Sequence, residues 1–151
     1  GAAVAVEGKR PVIMFTGDGS FHMNMNEACT AVSYNLPVIT VILNNQVLGM
    51  VRQWQSAFYD RRFASSEPER KTDYKTVAEG FGAVGYHCET LAEFKAAFGE
   101  ALTLGRPVWI ECLKRRTLIW KTKSIIWYCL WRTMPAFLHV FHLSFAREAL
   151  I

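Results

Sequence analysis

The strongest constraint on the fold is the stretch 37–43 (PVITVIL), rich in β-branched residues and stopped by Asn44-Asn45. Its apolar character is continuous rather than alternating, which suits a strand buried on both faces. Two other stretches share that character: residues 11–15 (PVIMF), followed closely by Gly17-Asp18-Gly19, and residues 107–112 (PVWIEC). A shorter strand is predicted at 86–88. Helical signals lie between them. A helix is predicted over about 24–34, with Asn35 as its terminator. Another covers 49–59, where Met50, Val51, Trp54 and Phe58 fall on one face. Asp73 caps a third, running to about Phe81. Thr90-Leu-Ala-Glu93 is a capping box that opens a fourth, whose stripe is Leu91, Phe94, Phe98, Ala101 and Leu102 and whose end is Gly105. Residues 60–72 are polar, contain Ser65-Ser66 and Pro68, and read as an exposed loop. Strands and helices that alternate over short connections predict an α/β fold, a parallel sheet with helices on both faces. The sheet is expected to be incomplete at its N-terminal edge.

Charge narrows the function classes. The net charge of +4 over 151 residues would ordinarily point to nucleic acid or an anionic membrane. Residues 1–113, however, hold 10 Lys and Arg against 12 Asp and Glu, a net −2, and 114–151 hold 7 against the single acid Glu148. The basic excess belongs to the tail, so no nucleic-acid partner is expected and a membrane is disfavoured. Hydrophobic residues at 51% and charged residues at 20% describe a globular chain with a core. The cysteines, Cys29, Cys88, Cys112 and Cys129, form no CxxC pair. Cys29, Cys88 and Cys112 read as core-facing, reduced thiols of a cytoplasmic protein. The start has no basic segment of a signal peptide and no Met, so the true N-terminus is expected to lie upstream.

In a parallel sheet of this kind ligands sit beyond the carboxyl ends of the strands. Both Gly17-Asp18-Gly19 and Asn44-Asn45 fall there. Glycines allow a ligand close to the main chain, and amides at a following helix start favour phosphate. Asp18 would repel bare phosphate unless a cation lies between them. A Mg²⁺ ion bridging Asp18 to a diphosphate resolves the conflict, with the Asn45 amide oxygen and the Val47 carbonyl as further hard ligands. Taken singly, each motif is also an ordinary turn or loop signal.

Gly-Asp-Gly, the 24 residues Ser20 to Leu43, and then Asn44-Asn45 resemble the cofactor motif of the thiamine-diphosphate-dependent decarboxylases and carboligases. That resemblance implies Mg²⁺ on Asp18, Asn45 and Val47, and the diphosphate near Gly17, Gly19 and Ser20, with Gly49 and Met50 close to the cofactor. The following segment, QVLGMVRQWQ with Phe58-Tyr59, is similar to that of acetolactate synthase large subunits. It implies that Met50, Val51 and Trp54 face the substrate, Trp54 helping to select the second 2-ketoacid. Such a stripe is otherwise ordinary core packing. The family chemistry decarboxylates pyruvate and condenses it with a second pyruvate or 2-ketobutyrate, in branched-chain amino-acid synthesis. Family members assemble as homodimers or homotetramers, with a regulatory small subunit possible, and hold FAD in another domain. The activating Glu belongs to sequence outside this chain, so no catalytic residue is assigned here and the chain alone is expected to be inactive. Glu27 and His22 are read as bystanders. Alternatives within the superfamily are a pyruvate oxidase or a 2-ketoacid decarboxylase. A non-enzyme alternative is a remnant without catalysis.

The resemblance covers residues 1–113. Beyond them the chain holds Trp120, Trp127 and Trp131 with no amphipathic period. A shifted reading frame after codon 113 accounts for so sharp a break. The other reading, an interfacial extension, is too interrupted by Lys121, Lys123 and Arg132 to span a bilayer.

Overall fold

The computed structural model describes residues 1–113, as a parallel sheet with helices packed on both of its faces. After a single helical turn, α1 (Ala2–Ala5), the strands are β1 (Val12–Gly17), β2 (Val38–Asn44), β3 (Val84–Cys88) and β4 (Val108–Leu113). Their order across the sheet is β1-β2-β4-β3, with every pairing parallel. The sequence tail 114–151, with the frame-shift and interfacial readings attached to it, lies outside the described residues.

The central strands β2 and β4 are two of the three continuous apolar runs and are buried along nearly their whole length. The third, β1, ends the sheet with no residue buried, so its predicted burial on both faces is not met. Alternate residues of β2 and β4 feed two cores. Ile39, Val41, Val108, Ile110 and Cys112 pack with Phe94, Ala97, Phe98 and Ala101 of α6 (Leu91–Leu104). From the opposite face Ile42 and Trp109 meet Phe21, Ala28, Tyr74 and Ala78. These last come from α2 (Asp18–Asn24), α3 (Ala28–Ser33) and α5 (Tyr74–Phe81). One helix layer therefore covers each face, as the strand–helix alternation requires.

Helix boundaries follow local chemistry where a cap is present. The Thr90 hydroxyl accepts from the Glu93 amide at 3.2 Å, and the Glu93 carboxylate accepts from the Thr90 amide at 3.2 Å. The Glu89 amide, donating to the Glu93 carboxylate at 2.8 Å, and then the Thr90 amide hold that carboxyl below its ordinary range. Asp73 caps α5 by accepting from the Thr76 amide at 3.0 Å. Gly85 permits α5 to lie close on β3, since a Cβ there would sit 2.5 Å from the Lys75 carbonyl oxygen.

Three further expectations need correction. The helix predicted over 24–34 begins at Asp18, and a 3₁₀ turn, Met25–Glu27, divides it from α3. Phe21 holds that first turn despite Gly19, its ring 4.6 Å from that of Trp109 and 5.9 Å from that of Tyr74. Cys29 is exposed, not core-facing; Cys88 and Cys112 are buried. Burial pushes the Cys88 thiol up to about 11, which leaves it protonated and unreactive. Residues 60–72 are not wholly exposed either: Ser66 is buried, and the loop folds back on α4 (Gly49–Phe58). The Leu48 amide donates to the Ser66 carbonyl, and Arg52 pairs with Glu67 at 2.7 Å while lying over the Phe63 ring.

Candidate metal and diphosphate site

Register decides what meets at the carboxyl end of the sheet. Gly17 of β1 stands opposite Leu43 of β2, so the turns that follow leave the sheet side by side. Gly17 caps α2 and Asp18 is its first residue, the place where the helix dipole favours a negative charge. Asp18 is nevertheless only 2% exposed, and a buried carboxylate needs partners. The carboxylate has two: Oδ2 pairs with Nη1 of Arg70 at 2.8 Å, and Oδ1 accepts from the Asn45 main-chain amide at 3.4 Å. The main-chain carbonyl of Asp18 accepts from the Tyr74 hydroxyl at 3.3 Å. Burial, followed by the nearby Asp18 charge, pushes the Tyr74 phenol up to about 12, so it remains a neutral donor.

The second turn is shaped by its own side chains. Asn44 accepts from the Gln46 amide and Asn45 from the Val47 amide, both at 3.1 Å. These are two successive side-chain-to-backbone turns of the kind asparagine favours. Gln46 takes a left-handed conformation, φ 57°, and reverses the chain between Asn45 and Val47. Gly19 faces this turn closely: a Cβ there would lie 3.0 Å from the Leu48 side chain and 3.8 Å from both terminal nitrogens of Arg70. A larger residue here would push the Leu48 side chain aside, so glycine keeps the two segments close.

The Asp18 carboxylate is thus within hydrogen-bonding distance of the Asn45 main-chain amide, while the Asn45 side-chain oxygen accepts from the Val47 amide. Gly17 and Ser20 are exposed beside them, and Gly49 opens α4 above Asn45. Among the described residues no three His, Cys, Asp or Glu side chains cluster as metal ligands. A cation here would meet a mixed set of carboxylate, amide and main-chain oxygens, all hard donors of the kind that suits Mg²⁺. The residues present therefore fit a metal–diphosphate pair.

Met50, Val51, Trp54 and Phe58 of α4 are 72%, 46%, 59% and 72% exposed. Among the described residues nothing covers this face, and no residue of the helix is buried. Its polar side, through Arg52 and Gln55, is the one tied to the chain, Gln55 donating to the Ala64 carbonyl at 2.9 Å. His22 is bonded to Thr72 at 3.0 Å and so joins α2 to the loop before α5. Glu27 is exposed on its 3₁₀ turn.

Sequence reasoning missed two groups. Arg70 was hidden in a polar loop, 52 residues from Asp18, and nothing in its neighbourhood marks it. A second polar cluster had a legible sign: Glu111 is the lone acid of an apolar strand. It is 3% exposed, accepts from the Asn44 amide nitrogen, and meets Nδ1 of His87 at 2.8 Å. That bond raises the His87 pKa above its ordinary value. The cluster borders an open cleft of about 390 Å³, also lined by Arg70, Lys71 and Lys75.

A parallel α/β sheet in which Gly-Asp-Gly joins a strand end to a helix beside an Asn-Asn turn is the arrangement of a domain that receives a phosphorylated cofactor at its strand ends. Residues 1–112 match the family model of the thiamine pyrophosphate enzymes, C-terminal TPP binding domain, and the chain belongs to that family. It is 38% identical over 115 residues to the acetolactate synthase large subunit of Pyropia yezoensis. It is 43% identical over 91 residues to the acetolactate synthase isozyme 3 large subunit of Escherichia coli. These alignments cover 74% and 60% of this chain but only 20% and 16% of those proteins, so the chain spans about a fifth of its curated relatives. Among solved structures, a thiamine diphosphate-dependent 4-hydroxybenzoylformate decarboxylase of Rhodococcus jostii superposes with a TM-score of 0.66 at 30% identity. The match covers 70% of this chain and 20% of that one. Among the described residues no helix is long and apolar enough to cross a membrane.

Proposed function

We propose that this chain supplies the Mg²⁺ and diphosphate half of the thiamine diphosphate site in an acetolactate synthase large subunit. The observation that carries this reading is the meeting of Asp18 and Asn45 at neighbouring strand ends, 3.4 Å from the carboxylate to the Asn45 main-chain amide. Asp18, Asn45 and the Val47 carbonyl hold the metal. Gly17, Gly19 and Ser20 receive the diphosphate, and Gly49 and Met50 border the cofactor. When bound, thiamine diphosphate supplies the electron sink that lets a 2-ketoacid lose CO₂ and its remaining carbon join a second 2-ketoacid. The chain's own contribution is to fix the cofactor's charged end and to exclude water. The exposed face of α4, with Met50, Val51 and Trp54, is the surface that would close over the reacting carbon and select the second ketoacid.

The identity to large subunits supports a role in branched-chain amino-acid synthesis and a small-subunit partner. A transferase that works in the cytoplasm as a homodimer or homotetramer is part of this proposal. FAD and the acid that activates the cofactor belong to sequence outside this chain. We place the end of the cofactor domain at residue 113 and assign 114–151 to a frame-shifted tail.

The test is thiamine diphosphate binding to the full-length protein with and without Mg²⁺. Binding should require the metal and be lost in Asp18→Ala. Equal binding by the variant would sink the assignment. Likeness to the decarboxylase favours a second reading, simple 2-ketoacid decarboxylation. Acetolactate as product excludes it; an aldehyde would establish it.

A further inference from the structure

Asp18 is buried, yet its charge is balanced by a residue that is not part of the sheet. We propose that Arg70 is a resident counter-cation of the metal site, which neutralises Asp18 while no divalent ion is bound and which the ion must displace. The inference rests on the reading above that Asp18 ligates a divalent metal.

Three observations support it. The Arg70 guanidinium holds Oδ2 of Asp18 at 2.8 Å, while Oδ1 has only the longer 3.4 Å bond from the Asn45 amide. A metal ion on Oδ2 and a guanidinium at that distance compete for the same oxygen. Both terminal nitrogens of Arg70 also lie 3.8 Å from the position a Gly19 Cβ would take. The positive charge therefore lies beside the Gly17-Asp18-Gly19 segment itself, against the open face of Gly19. Finally, Arg70 can leave. It comes from the irregular segment between α4 and α5, and its side chain is 21% exposed, against 2% for Asp18. A long arginine stem with a path to water can swing aside without unfolding the loop.

A permanent structural arginine and a displaceable counter-cation differ in what their loss does. Without divalent metal, Asp18 is neutralised by Arg70 and the site is electrically quiet. Metal arrival exchanges one cation for another, so part of the ion's attraction is offset by release of the guanidinium. Removing the competitor must then tighten metal binding, whereas removing a structural brace would loosen the site.

The experiment titrates full-length protein with Mn²⁺, without thiamine diphosphate, and reads free Mn²⁺ by electron paramagnetic resonance. Arg70→Gln should bind Mn²⁺ about tenfold more tightly than the parent, and Arg70→Lys, which restores a cation, should return towards the parent value. Arg70→Met, uncharged and of similar length, serves as a second neutral variant if the first folds poorly. Parent and neutral variants binding equally, or the variants binding more weakly, would overturn the role of Arg70 and leave the cofactor assignment intact. Failure of all of them to bind Mn²⁺, even with thiamine diphosphate present, would overturn both.

Discussion

Asp18 and Glu111 are both buried carboxylates on the carboxyl side of one sheet, 2% and 3% exposed, and the molecule holds them in opposite ways. Glu111 is satisfied by residues that strand register puts in place. His87 is its direct partner across β3 and β4, and Asn44 ends the neighbouring β2. Such partners move only if the sheet does. Asp18 lies just past the end of its strand, and its partners are a loop arginine, a turn amide and a tyrosine hydroxyl. The difference teaches where rigidity ends: Glu111 is held by strand neighbours, and the Asp18 carboxylate by groups from a loop and a turn.

The comparison breaks first, and most severely, at Glu111. Glu111→Ala strips the acceptor from Asn44 and from His87 inside the sheet, which should cost about 3 kcal/mol. Urea unfolding of the full-length protein measures it, and a loss below about 1 kcal/mol would mean that water reaches the cluster. Asp18→Asn should cost less, about 1 kcal/mol, because the freed Arg70 can turn to solvent. That variant should still abolish Mg²⁺-dependent cofactor binding, so its stability and its function separate. The smallest effect is a pH dependence. The bond to Glu111 raises the folded His87 pKa above the ordinary 6.5. The contribution of protonated His87 is therefore complete below about 6.5 and fades as pH rises through the higher folded value. His87→Gln should flatten this slope in thermal midpoints measured from pH 5 to 9, and an unchanged slope would remove His87 from the account.

Two helices divide along the same line. In α6 and α4 the sequence offers similar apolar stripes. Phe94 and Phe98 of α6 are fully buried, whereas Met50, Trp54 and Phe58 of α4 are left open. Periodicity reports that a helix has an apolar face and is silent on what covers it. The capping box of α6 and the Asp73 cap of α5 were legible because a cap is a contact between near neighbours in sequence. The start of α2 was not: Gly19 weakens its local signal, and the Phe21 contacts that hold it come from Tyr74 and Trp109, far along the chain.

By itself the sequence determined the parallel α/β architecture and placed both turns of the candidate site at strand ends. Continuous β-branched runs admit few other arrangements, and the Gly-Asp-Gly and Asn-Asn turns follow those runs directly. Tertiary structure alone decided that Asp18 is buried, that Arg70 neutralises it, and that Glu111 is tied to Asn44 and His87. The physical reason is range. Propensity and capping act over a few residues, whereas the charge balance of a buried carboxylate is set by whichever distant side chain the completed fold brings to it.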